Sequence, residues 1–124
     1  YKVVALEEVA NECYKISVEM GREQTVAAVL DGRGSHFIVK VNDQVRHSKS
    51  HQRPYTPYVM AGVNDRFTLA IKRYPGGAVT GALARLRIGD YLAMSGPIVA
   101  NKSDLSKVTR YGMVAGGSGV TPML

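Results

Sequence analysis

The sequence is poor in residues that staple or anchor a chain: it carries one cysteine, no tryptophan and two phenylalanines among its 124 residues. A lone thiol forms no internal disulfide, which fits a reducing compartment. Cys13 has no His or further Cys around it, so it reads as a buried small hydrophobe rather than a nucleophile. No apolar run approaches the ~18 residues that a membrane helix needs, and no secretory signal pattern opens the chain. His36, His47 and His51 follow no metal-ligand spacing and read as surface or packing histidines, so no metal site is expected. A chain of this length forms one ordinary domain and buries roughly two-thirds of its unfolded surface, enough to fold without disulfides or structural metal.

Charge is present in excess of one sign. Sixteen Lys and Arg oppose ten Asp and Glu, a formal +6. Such a balance draws phosphates, nucleic acid or an acidic protein partner through long-range fields, and is equally the mark of a solvated basic surface. The sequence opens at Tyr1 without a methionine and stops at Leu124 just as Val120, Met123 and Leu124 begin a new apolar pattern. The expectation is a piece of a longer protein, with any membrane anchor or targeting segment outside it.

Short segments rich in Val, Ile and Tyr recur along the chain. Residues 1–9 and 14–20 read as strands, with Tyr14, Ile16 and Val18 sharing one face and Lys15, Ser17 and Glu19 the other. Residues 25–30 form an apolar run closed by the turn signal Asp31-Gly32-Arg33-Gly34. A strand is expected at 36–41, turned by Asn42-Asp43 toward Val45. Residues 47–53 read as a basic loop. Strands are expected at 58–61 and 67–74 around Gly62-Val63-Asn64-Asp65, before Pro75-Gly76-Gly77 breaks the chain. Residues 80–86 suit a short helix, with Leu83 and Leu86 on one face and Gly89-Asp90 closing it. Strand character returns at 91–95 before Gly96-Pro97, a polar connector follows at 101–107, and 111–115 is an apolar strand running into Gly116-Gly117-Ser118-Gly119. Many short strands with one helix argue for a Greek-key barrel or sandwich. A buried strand followed by a glycine loop is how a nucleotide-binding α/β domain begins.

Three constellations carry chemistry. In Arg53-Pro54-Tyr55-Thr56-Pro57 the prolines hold their neighbours extended, and alternation puts Arg53 and Tyr55 on one side and Thr56 on the other. An arginine fork beside an aromatic and a hydroxyl suits a ligand with a phosphate end and a flat ring; a packing tyrosine on a stiff edge strand would look the same. In Pro75-Gly76-Gly77-Ala78-Val79-Thr80 the glycines let backbone N–H groups approach an anion at a helix start, where Thr80 caps the helix or donates to phosphate. Gly116-Gly117-Ser118-Gly119-Val120-Thr121-Pro122 resembles a dinucleotide loop, with Pro122 where the usual fingerprint has its third glycine.

Taken in order, Arg-x-Tyr-Thr, Ile71-Lys72-Arg73-Tyr74, Gly-x-Val-Thr before a helix, Gly-Asp, Gly-Pro and Gly-Gly-Ser-Gly-Val-Thr-Pro-Met-Leu resemble the ferredoxin-reductase-type flavoproteins. Within them the chain is most similar to the cytochrome-b5 reductase family, the likeness being specific from Arg53 to Leu124 and loose before it. The resemblance implies a mainly β fold, a six-stranded antiparallel Greek-key barrel with one short helix. It implies an FAD-binding barrel over 1–108, and at 109–124 the first strand and glycine loop of an NAD(P)H-binding domain.

By the same resemblance, Arg53 with Pro54 holds the flavin pyrophosphate and Tyr55 lies against the isoalloxazine. Thr56 bonds the ring nitrogen that accepts hydride and is the catalytic candidate. Ala70, Ile71, Lys72 and Tyr74 line the rest of the cofactor, Gly77, Ala78, Val79 and Thr80 cradle phosphate, and Thr121 approaches the flavin from the nucleotide side. Ala78 departs from family members that carry Lys there, which removes one side-chain contact and leaves the backbone ones. The implied chemistry is hydride transfer from NADH or NADPH to FAD and single-electron release to a haem protein, such as a cytochrome b5 or a fused haem domain. No nucleic-acid partner is expected, turnover by these residues unaided is not expected, and the implied setting is intracellular, in the cytoplasm or at the cytosolic face of an organelle membrane. Two other classes fit the composition: a basic nucleic-acid-binding barrel of OB type, and a flavin-free interaction module.

Overall fold

The computed structural model describes residues 1–20, 35–42, 50–99, 107–110 and 112–123, the side chain of Ser118 apart. The run at 25–30, the turn at 31–34, the bend from 43 to 45, His47, the connector at 101–106 and Tyr111 lie outside these.

Alternation builds the first sheet. β1 (Lys2–Ala10) and β2 (Cys13–Glu19) form an antiparallel hairpin whose two-residue loop ends in Glu12, at φ 58°. Tight hairpin loops need this left-handed backbone, more often supplied by Gly, Asn or Asp. β5 (Arg66–Lys72) pairs with β2 over seven residues, from Cys13↔Lys72 to Glu19↔Arg66. Directly opposed residues share a face, so Ile16 with Leu69 and Val18 with Phe67 point inward and all four are buried. On the outer face Ser17 and Thr68 exchange a hydroxyl hydrogen bond of 2.9 Å. Cys13 is outward and half-buried, not a core residue.

The second sheet has the order β4-β3-β6, from β4 (Ser50–Tyr55), β3 (His36–Asn42) and β6 (Ala93–Ile98). β3 supplies Phe37 and Val39 to the core. The two sheets meet at two seams: Lys2↔Tyr91, flanked by backbone hydrogen bonds of Tyr1 and Val3 to Leu92, Asp90 and Gly89, joins β1 to the approach of β6, and Tyr58↔Thr68 joins the chain after β4 to β5. The cyclic order is therefore β1-β2-β5-β4-β3-β6, the implied six-stranded Greek-key arrangement, with the ladder open at both seams. Phe37, Phe67 and Tyr1 pack together where the sheets face each other.

Four expectations are corrected. Residues 50–53 belong to a strand, because β3 offers a pairing edge that rescues a polar run with little strand propensity of its own. The strand expected at 58–61 is only the Tyr58 bridge, and the chain turns at Ala61-Gly62. β6 runs through Gly96-Pro97 rather than stopping before it; Ile98 still pairs with His36 across a register shift. Gly112–Ala115 shows no strand, having no ladder partner among the described residues, and η1, a 3-10 helix (Gly117–Met123), follows and packs against β5.

The helix α1 (Ala78–Leu83) begins two residues before the expected start and buries Val79 and Leu83, four apart on one face. It lies against β3 and β4. Its C-terminal turn tightens through Arg85 N to Ala82 O and Leu86 N to Leu83 O, which ends the helix while Leu86 still packs on the core.

Candidate cofactor-binding site

β4 is an edge strand, and its inward-facing positions determine the site. Arg53 opposes Val39 and Tyr55 opposes Phe37, so both point to the side of the sheet that carries the core. Tyr55 is half-buried against that core, whereas Arg53, nearer the open edge, is exposed. Arg53 Nη1 donates to the Gln52 carbonyl at 2.7 Å, and the guanidinium forms no ion pair among the described residues. Pro54 opposes Ile38 on the other face and is exposed. Thr56 follows the strand half-buried, and Pro57 behind it is fully buried.

The phenol of Tyr55 is raised above its ordinary value of 10.0 by burial; the Arg53 guanidinium pulls it back and the Tyr74 phenol pushes it further up. Tyr55 thus lies within electrostatic reach of a cation on its own strand and of a residue just beyond β5. The neutral phenol is the form held at neutral pH.

Beyond β5 the chain turns tightly. Gly77 N donates to Tyr74 O at 3.0 Å across Pro75 and Gly76, with Gly76 at φ 72°. Proline second and a left-handed glycine third is the residue placement of a type II turn. Tyr74 N donates to Thr80 Oγ1 at 3.4 Å, and a Cβ on Gly77 would collide with that same hydroxyl and lie 3.1 Å from Tyr74 O. Glycine at 77 is therefore a packing requirement of the turn. Gly77 is also the N-cap of α1, and no side chain caps the helix. Lys72 Nζ stands 6.0 Å from the centroid of the Tyr74 ring, at the outer limit of a cation–π contact.

Apart from Pro54, the expected residues fall into four groups. Arg53, Tyr55, Lys72, Tyr74, Gly77 and Thr80 are brought together, by electrostatic reach or hydrogen bonds, where the edge of β4 meets the β5–α1 turn. Ile71 and Val79 are core side chains, 3% and 4% exposed, so only their backbone is free to meet a ligand. Ala70 on the outer face of β5, Ala78 exposed on α1, and Thr56 stand around this cluster, with no side-chain hydrogen bond to it among the described residues. Thr121 is buried on η1, which packs against β5 rather than β4.

Sequence reasoning passed over Arg73 and Glu12. Arg73 N donates to Glu12 O at 2.7 Å, tying the β1–β2 loop to the chain entering the turn. The available signal was a two-residue Asn11-Glu12 spacing between strands, which marks a tight loop but not what the loop touches.

The cluster offers an exposed guanidinium with no ion pair among the described residues, a neutral half-buried phenol, an exposed aromatic and a glycine turn opening an uncapped helix. This donor set fits an anionic group joined to a flat ring. No cluster of His, Cys, Asp or Glu suited to a metal occurs among the described residues.

Such a barrel, with these groups at one seam, defines a cofactor-binding module of flavoprotein reductases. The chain belongs to the oxidoreductase FAD-binding domain family, whose model matches residues 1–102. Its relatives include NADH-cytochrome b5 reductase 1 of Coccidioides immitis, 42% identical over 109 residues, covering 88% of this chain and 31% of that protein. NADH--cytochrome b5 reductase 1 of Arabidopsis thaliana is 42% identical over 71 residues, covering 57% and 25%. The fold matches the cytochrome b5 reductase domain of Ulva prolifera nitrate reductase at a TM-score of 0.76 and 22% identity, over 98% of this chain and 52% of that one. The chain spans about a quarter to a third of the curated relatives it matches. FAD is the cofactor of this family, and the resemblance read from the motifs is borne out.

Proposed function

We propose that the chain is the flavin-holding part of an NADH-dependent reductase that passes electrons to a haem protein of the cytochrome b5 kind. The observation that carries this reading is the convergence of Arg53 and Tyr55 from β4 with Tyr74, Gly77 and Thr80 from the β5–α1 turn. Bound FAD supplies hydride acceptance and one-electron release. The chain supplies position and charge. Arg53 neutralises the pyrophosphate with its fork of donors, and Tyr55, kept neutral, gives the isoalloxazine an aromatic wall. Gly76 and Gly77 would admit phosphate close to backbone N–H groups, and Thr56 would offer its hydroxyl to the flavin ring. Residues 109–124, with Thr121, open the nucleotide-binding unit through which NADH or NADPH reaches the flavin.

The acceptor reading draws on the names of the relatives and on charge. A formal +6 steers an acidic partner. A neighbour in fold, an intact type IV self-sufficient cytochrome P450 monooxygenase, is 25% identical over 98% of this chain with a TM-score of 0.69. That neighbour supports a haem domain in the same polypeptide as the second form proposed for the acceptor. A reducing compartment, the cytoplasm or the cytosolic face of an organelle membrane, accords with the free Cys13.

Visible absorption of the purified chain, after FAD is added and the excess removed, tests the reading. Retained flavin bands are expected. Their absence both here and in a polypeptide extended past Leu124 would sink the assignment.

A further inference from the structure

The β5 ladder with β2 ends at Cys13↔Lys72, two residues short of Tyr74. What holds the chain beyond that point is the β1–β2 loop. Glu12 O accepts Arg73 N at 2.7 Å, and the Glu12 carboxylate stands 3.4 Å from Arg73 Nε. Its Oε2 is closed off from solvent and makes no hydrogen bond, and among the described residues Arg73 is the cation that answers its charge. Glu12 is itself fixed, at φ 58° and with its N–H donating to Glu8 Oε1 at 3.3 Å. Backbone and side chain of one residue thus grip backbone and side chain of another. The next residue is Tyr74, whose N–H meets Thr80 and whose carbonyl meets Gly77.

We propose that Glu12, acting through Arg73, is a positioning residue for the cofactor site: it sets where Tyr74 and the Gly76–Gly77 turn stand relative to Tyr55, and so governs how FAD is held. This deepens the proposed function and rests on it. Neither residue is among those assigned to hold the cofactor. A loop formed before β2 thereby controls a turn sixty residues later in the chain, because antiparallel pairing of β2 with β5 places the loop beside it.

Three variants test the clamp. Glu12→Asn keeps a residue suited to left-handed backbone and withdraws the carboxylate. Arg73→Gln removes the cation, and the third variant combines both. Each single change is expected to raise the FAD dissociation constant about twofold to fivefold, the scale of a partly exposed ion pair. The double variant is expected to be no worse than the poorer single one. Visible circular dichroism of bound FAD should change in all three, while the unfolding midpoint of the FAD-free protein moves little. The reversed pair, Glu12→Lys with Arg73→Glu, should recover affinity. Wild-type affinity in both single variants, or additive losses in the double, would overturn the clamp while leaving the flavin assignment standing. Failure of the wild type to take FAD would instead remove the function, and amide exchange then decides the clamp: the Tyr74 and Gly77 amides of the FAD-free protein should exchange faster in Glu12→Asn. Unchanged exchange there would refute it.

Discussion

Phe37 of β3 and Phe67 of β5 stack with ring centroids 5.0 Å apart and planes 23° from parallel. The two belong to different sheets, and Tyr1 presents its edge to both at 5.6 and 5.8 Å. This aromatic contact ties the two sheets through the core, between the backbone hydrogen bonds of the two seams. Phe67→Ala should cost about 3–5 kcal/mol of unfolding free energy by urea titration. A loss below about 1 kcal/mol would show that the seams hold the sheets without it.

Arg53→Ala should weaken FAD binding, since each lost charge-assisted hydrogen bond is worth roughly 1.5–3 kcal/mol. Thermal unfolding of the FAD-free chain should hardly change, because the guanidinium is exposed and forms no ion pair among the described residues. Equal FAD affinity in fluorescence titrations of mutant and wild type would dismiss Arg53 as a pyrophosphate ligand.

Gly77→Ala inserts a methyl group into the Thr80 hydroxyl and should destabilise the protein by about 1–3 kcal/mol. Adding Thr80→Ala removes the obstacle and should recover part of that loss, leaving the 3.1 Å approach to Tyr74 O. Stability lost equally in the single and double variants would mean that the hydroxyl is not what forbids a side chain at 77.

Tyr55 has its phenol raised in the folded state, chiefly by burial. A raised value means that the unfolded chain loses this proton first. The contribution to stability is full below the ordinary phenol value of 10.0 and is lost as pH climbs through the folded one. Urea midpoints from about pH 8 to pH 11 should therefore fall more steeply in the wild type than in Tyr55→Phe. Parallel curves would show that Tyr55 titrates as freely in the folded chain as in the unfolded one.

Thr56→Val keeps the shape of the side chain and deletes its hydroxyl, which makes no side-chain hydrogen bond among the described residues. It should shift the reduction potential of bound FAD while changing FAD affinity by less than about 1 kcal/mol. A large loss of affinity with an unmoved potential would reassign Thr56 from tuning the ring to holding the cofactor.

Strands with clean alternation could be read directly. Tyr14, Ile16 and Val18 declare one face, and β1, β2, β3 and β5 lie within a residue or two of their expected places. The site motifs were legible too, because glycine at 76 and 77 and the prolines around Tyr55 have few conformational uses. The elements that misled were those whose form depends on a neighbour. Ser50, His51 and Gln52 have no strand character until β3 lends them a ladder, and Tyr58 keeps only one bridge because β5 passes it at a seam. Met113 and Val114, apolar enough for a buried strand, are 60% and 94% exposed without one.

The sequence by itself thus determined the class of fold, the family and its cofactor, since these are written in local periodicity, turn residues and short motifs. Only the tertiary structure decided which groups meet. Arg53 and Tyr74 come to the same phenol, Ile71 and Val79 turn into the core, and Glu12 grips Arg73, all through pairings between strands far apart in the chain. Local propensity acts over a few residues, whereas strand register and sheet closure are settled by the burial of one common core.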